Sequence, residues 1–367
     1  MTPLARLWSP GTPIRAAGSC LACLCTLAAA CDGRHHGARA ATPQAAPATV
    51  RLTGRVLLED ELLGQPQALA AVGEHLVVLD AHNSPAVHIL RRDDGRRVFA
   101  FGRDGSGPGE FRHPRSVDLD PARTNRVWIY DSQLLRFTPV DLQRDTVAVA
   151  EGAITLHSNE LPMQPVWAGG SVLLSTGLFS AGRLARFDVA GDLIGTAGTL
   201  PPDENAPANV VQHAYTGTLV ARPDRSRFAL LNRHADRVEI FDAAGATLRI
   251  ASGPVGFRPV YETHSRGSVP FMATGEDLRF GYISGAATDG ALFALYSGRA
   301  RRELPGYAFY GTWVHVFDWS GRLRQVFKLD AYVIGLSADP AGKALYATRL
   351  YPSPAVLAYE LPIDGGS

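Results

Sequence analysis

The chemical potential of this sequence lies in its cations and aromatics rather than in any nucleophile. All four cysteines, Cys20, Cys23, Cys25 and Cys31, fall within the first 31 residues, so the remainder of the chain can form no disulfide and offer no thiolate. Cys20 and Cys23 have the spacing of a metal-binding pair, but they sit inside an apolar run and read as part of it. No Gly-x-Ser-x-Gly, His-Glu-x-x-His or EF-hand loop occurs, which removes the local signals of a hydrolase, a zincin and a calcium site. The glycine-rich stretch 102–109 contains Pro108, lacks a Gly-Lys-Ser/Thr ending and precedes a strand. It therefore reads as a turn, without the helix N-terminus a phosphate loop needs. What remains is an Arg-rich, Lys-poor set of cations whose planar guanidinium groups suit carboxylate and phosphate.

The elements that must position those groups begin after an address segment. Arg6 and Arg15 precede fifteen uncharged residues, Ala16 to Ala30, rich in Ala, Leu and Cys. A basic start, a short apolar run and small residues before a cut site are the marks of an export signal over 1–30. The run is shorter than the roughly 20 apolar residues a membrane-spanning helix needs. Its end, Leu27-Ala28-Ala29-Ala30-Cys31, resembles the lipobox of bacterial lipoproteins, with Ala28 where Leu is usual. That resemblance implies a lipid on Cys31 and a membrane anchor at the periplasmic or cell surface; an ordinary cleaved signal is the alternative. Residues 31–49 are rich in Ala and Pro and read as a tether, His35 and His36 included. Residues 50–367 form the folded body.

That body is repetitive and all-β. No stretch of helical period exceeds about three turns. Phe-Asp-x-x-Gly recurs at 187–191, 241–245 and 317–321, with degenerate copies near Asp93, Asp141 and Glu360. In a hairpin of this kind the Asp accepts backbone hydrogen bonds and the Gly supplies a positive φ. Each copy follows two further strand-like runs, at steps of 48, 47, 54, 76 and 42 residues. Six such units predict a six-bladed β-propeller, with the 76-residue step placing insertions at about 254–279 and 297–311 in the fifth blade. The last unit ends after its third strand, so the apolar-alternating stretch Arg51–Leu58 is expected to complete the sixth blade and close the ring.

Phe101 to Phe111, followed by Pro114 and Val117, resembles the inter-blade junction of NHL-type propellers. Trp313 to Leu361, with Val314 to Gly321 and Ala344 to Ala347, is similar to TolB-like six-bladed propeller lipoproteins. The resemblance implies an export-associated binding domain of undefined ligand and carries no catalytic motif or cofactor.

In such a ring the outer-to-inner connections and the second-to-third-strand loops share one face. The candidate binding residues there are Arg233, Arg299, Arg301, Arg302, Arg349 and Tyr351, with Tyr307 and Tyr310 in the blade-five insertion. Arg103, Arg112, His113 and His234 belong to the same loops, as do the acids Asp80, Asp131, Glu204 and Glu262. They make either an Arg-lined mouth for an anionic small molecule, a saccharide or an envelope protein, or simply a solvated rim. Balanced charge, 36 Lys+Arg against 35 Asp+Glu, argues against nucleic acid. The alternative function is a metal-dependent hydrolase of the six-bladed lactonase type, holding calcium with Glu, Asn and Asp. The inner strands open instead with Gln67, Pro114, Gln164, His213, Phe280 and Val333, which lack that oxygen-rich ring.

Overall fold

The Phe-Asp-x-x-Gly phrase does locally what its chemistry requires. In a computed structural model describing residues 47–362 apart from 145 and 204, Asp188 Oδ1 accepts the N–H groups of Ala190 and Asp192, each at 2.9 Å. Asp242 and Asp318 do the same for Ala244 and Ala246, and for Ser320 and Arg322. Gly191 has φ +89°, and a Cβ there would stand 1.9 Å from the Thr155 carbonyl oxygen. Each turn thus ends a third strand and begins an outer one.

Repeated six times, this unit builds six antiparallel sheets. Their inner strands are Pro66–Val72, Pro114–Leu119, Leu161–Trp167, Gly217–Ala221, Tyr282–Ala287 and Gly335–Ala338. These neighbour one another in sequence, and the sixth returns to the first, so the ring is closed. Second strands such as His75–Asp80 and Leu292–Tyr296 are buried throughout, as near-continuous apolar runs should be when both faces are covered. Outer strands such as Thr247–Ser252 are largely exposed.

The core is divided in the same way. Six clusters of buried apolar residues lie between adjacent blades: Val77, Ile89, Val127 and Ile129 join blades one and two, and Leu174, Leu184, Phe228 and Phe241 join three and four. Each blade is stabilised by its neighbours, which is why one domain can exceed 300 residues without a single central core.

Closure differs in one respect from the expectation. Arg55–Leu58 pairs antiparallel with Ala355–Glu360 and completes blade six, but Thr49–Leu52 instead adds a fifth, parallel strand to blade five, along Leu323–Val333. The crossing point is Gly54, whose N–H is held by the Asp330 carboxylate and whose missing Cβ leaves room for the Tyr359 ring. The N-terminal stretch therefore ties two blades. The insertions fall where the 76-residue step puts them, as a hairpin of Glu262–Arg266 with Val269–Ala273 and a 3₁₀ turn at Arg301–Glu303. A short helix, Ala208–Ala214, precedes blade four and was not apparent in the sequence, being only seven residues long with no capping side chain. The export segment 1–30, Cys31, His35, His36 and Glu204 lie outside the described residues.

Candidate functional site in the central channel

The inner strands do more than line the ring. In blades one, two, three and five their pairing with the second strand skips one residue: Gln67, Arg115, Met163 and Ile283. A bulge of this kind leaves the extra residue unpaired and re-aims its side chain. All four line one cavity of about 330 Å³ at the centre of the ring, to which every blade contributes.

Two arginines face this cavity. Arg115 is the bulged residue of blade two, and Arg233 opens the second-to-third-strand loop of blade four. Burial pulls the Arg233 guanidinium down to about 10, with Arg115 adding to the effect; burial also lowers Arg115. Both remain cationic at neutral pH. Arg233 Nε is buried without a hydrogen-bond partner, and among the described residues no carboxylate pairs with either group. The ring of Phe309 lies under Arg233, 5.5 Å from its guanidinium carbon. Histidines add no counter-charge. His234 is driven down to about 3 by burial, Arg233, His213 and Arg301, while burial and Arg233 lower His213. His113 is lowered by burial, Arg115 and His82. The site is thus a cluster of cations and neutral imidazoles.

Two acids of this face, Asp80 and Asp131, are committed to backbone groups. Asp80 accepts the N–H groups of Gly64 and Gln65 at 2.7 and 2.6 Å, and Asp131 accepts those of Arg112 and His113 at 2.6 and 2.9 Å. Each pins the entry of an inner strand to the end of its partner. Gln164 likewise exchanges hydrogen bonds with Leu219 across the blade three–four boundary.

The residues singled out from sequence separate into three groups. Arg233 lines the cavity. Tyr307, Tyr310 and Tyr351 come together, with ring centroids 5.0 Å apart for Tyr307–Tyr351 and 6.0 Å for Tyr310–Tyr351, and Tyr332 joins them. Phe309 connects this patch to the cavity through Tyr310. Arg301 lies over Phe280 and donates to the Thr274 hydroxyl at 3.3 Å. The others are held by protein partners. Arg299 binds the Tyr310 carbonyl and Thr312 and stacks on Tyr332, Arg302 pairs with Asp277, and Arg349 pairs with Glu59 and Ser353.

Arg115 was not among the residues singled out. The available signal was proline spacing: Pro66, Pro114 and Pro162 stand 48 residues apart, each directly before a bulged residue.

A six-bladed propeller with a cationic central cavity is the class these observations define. The chain belongs to the TolB-like 6-blade propeller-like family, whose pattern matches residues 46–340. Among solved structures, a Bacteroides fragilis protein described as exported is 10% identical, with a TM-score of 0.51 over 85% of this chain and 95% of its own. The WD40 repeats of RRP9 are 12% identical, with a TM-score of 0.51 over 86% and 99%. Both likenesses concern the fold. No curated protein matches the sequence.

Proposed function

We propose that this protein is an exported binding protein whose central cavity takes an anionic ligand. One observation carries the reading: Arg115 and Arg233 share a partly buried cavity in which, among the described residues, no carboxylate pairs with them. Two like charges held in low dielectric are unfavourable together unless an anion completes the site. Guanidinium pairs then offer bidentate hydrogen bonds to a carboxylate or phosphate. Export is supported by the N-terminal segment, by the family and by the exported structural relative. Lipid on Cys31 would hold the domain at the membrane through the 31–49 tether. The lactonase-type alternative needs Glu, Asn and Asp, and the lining of this cavity holds two arginines and none of those three.

The test is thermal unfolding of the mature protein at low salt against phosphate, citrate and dicarboxylates. Stabilisation should grow with ligand concentration through linkage and shrink as salt rises. It should vanish in Arg115→Ala and Arg233→Ala but persist in Arg302→Ala. A flat response to every anion overturns the reading. For the anchor, Cys31→Ser should accumulate unprocessed precursor, and a soluble mature form cut elsewhere in the unmutated strain would end the lipoprotein assignment.

A further inference from the structure

Two more groups in the cavity wall are unaccounted for. Ser116, next to Arg115 on the inner strand of blade two, and Thr176, on the second strand of blade three, both line the cavity. They are 8% and 3% exposed, and among the described residues neither hydroxyl has a hydrogen-bond partner. Buried hydroxyls are nearly always paired, so two orphans in one wall call for an explanation. Both can turn about χ1 toward the cavity, and each can donate and accept. Of the other polar lining residues, Gln164, Thr218 and Ser284 are already hydrogen-bonded to backbone groups, and Gln67 adds an amide; Leu69, Val117, Ile283 and Leu336 supply an apolar part of the wall.

Resting on the anion-site reading, we infer that the ligand is a compact hydroxylated carboxylate, a sugar acid of the hexuronate kind. Its carboxylate lies between Arg115 and Arg233, its hydroxyls meet Ser116 and Thr176, and its C–H face lies against the apolar wall and Phe309. A cavity of about 330 Å³ suits one such ring with some water, at the small end of ligand pockets. The same chemistry can come from a free sugar acid or from the end of an acidic oligosaccharide. The tyrosine patch bears on that difference. Tyr307 and Tyr351 are 37% and 49% exposed and continue outward from Phe309 through Tyr310, so a second sugar unit leaving the cavity would meet aromatic faces.

Calorimetric titration of the mature protein at fixed ionic strength decides the matter, using galacturonate, digalacturonate, glucose, succinate and inorganic phosphate. Galacturonate should bind at least tenfold more tightly than succinate or phosphate, and glucose not at all. Ser116→Ala and Thr176→Val should each weaken galacturonate several-fold, leave phosphate and succinate unchanged and keep the unliganded melting temperature. Arg233→Ala should abolish binding of every anion. Succinate or phosphate binding as tightly as galacturonate, or hydroxyl variants with unaltered galacturonate affinity, would overturn the sugar-acid assignment and leave the anion site standing. No binding by any anion would remove both. Digalacturonate binding more tightly than the monomer, with the gain lost in Tyr307→Ala and Tyr351→Ala, identifies an oligosaccharide end; equal affinities identify the free acid.

Discussion

Four of the arginines in blades two to four fall into two kinds. Arg183 and Arg225 are each paired with a buried carboxylate. Arg183 binds Glu239 at 3.0–3.2 Å, Asn232 at 3.0 Å, Gln212 and the Tyr215 carbonyl, joining the loop of blade three to blade four and the short helix. Arg225, in the turn between the first two strands of blade four, reaches both Asp118 oxygens at 2.9 and 3.1 Å and the Leu119 carbonyl. Arg115 and Arg233 have no carboxylate partner among the described residues. Arg225 and Arg233 flank the same strand, Arg227–Asn232, yet only the first is neutralised by its own chain. An arginine paired with a buried carboxylate holds blades together. One with none, facing a cavity, is available to something else.

The largest effect should come from removing a partnered cation. Arg183→Met leaves the buried Glu239 with only Arg237 at 3.2 Å and the Asn232 amide at 3.0 Å, for a loss of about 3 kcal/mol in denaturant unfolding. Arg183→Met with Glu239→Leu should recover most of that loss. A single variant as stable as wild type would erase the distinction drawn here.

Arg225→Met should cost about 3 kcal/mol at neutral pH and should also make stability depend on acid. Burial pushes the Asp118 carboxyl up and Arg225 opposes it. With Arg225 gone, the folded-state pKa rises further above the unfolded value. The deficit should be fullest above that raised pKa and shrink as pH falls through it. Unfolding curves at several pH values between 4 and 7 would show this convergence, and parallel deficits at every pH would contradict it.

Arg233→Met, in contrast, should leave the unliganded protein unchanged or raise its stability by about 1 kcal/mol, because it removes repulsion with Arg115. A loss above about 2 kcal/mol would show an internal role that the pairing pattern does not suggest.

The smallest effect concerns the histidines. His234 is held down to about 3 and His213 is lowered, so the folded state refuses protons that the unfolded chain accepts near 6.5. Their contribution is complete above about pH 6.5 and is lost as pH drops from there toward 3. Arg233→Met should flatten that decline slightly, measured as the slope of unfolding free energy between pH 4 and 6.5. An identical slope would mean that Arg233 has no part in lowering His234.

The ring, its six blades and the place of its insertions were legible in the sequence because the information is local. Phe-Asp-x-x-Gly completes its own turn within five residues, and an apolar run buried on both faces needs no distant partner to announce it. The double role of the N-terminal stretch was only half legible, since choosing between blades five and six at Gly54 depends on Asp330 and Tyr359. The site was less legible still. Arg349 and Arg233 look alike in sequence, but Arg349 finds Glu59, 290 residues away, and Arg233 finds no acid among the described residues. Arg225 finds Asp118 across 107 residues. Arg115 enters the cavity because a bulge shifts its strand's pairing by one residue, and a one-residue shift changes the face on which a side chain lies. Residue type and spacing determined the blades. Which cations are left for a ligand was decided by tertiary pairing, because charge neutralisation depends on distance in space and not along the chain.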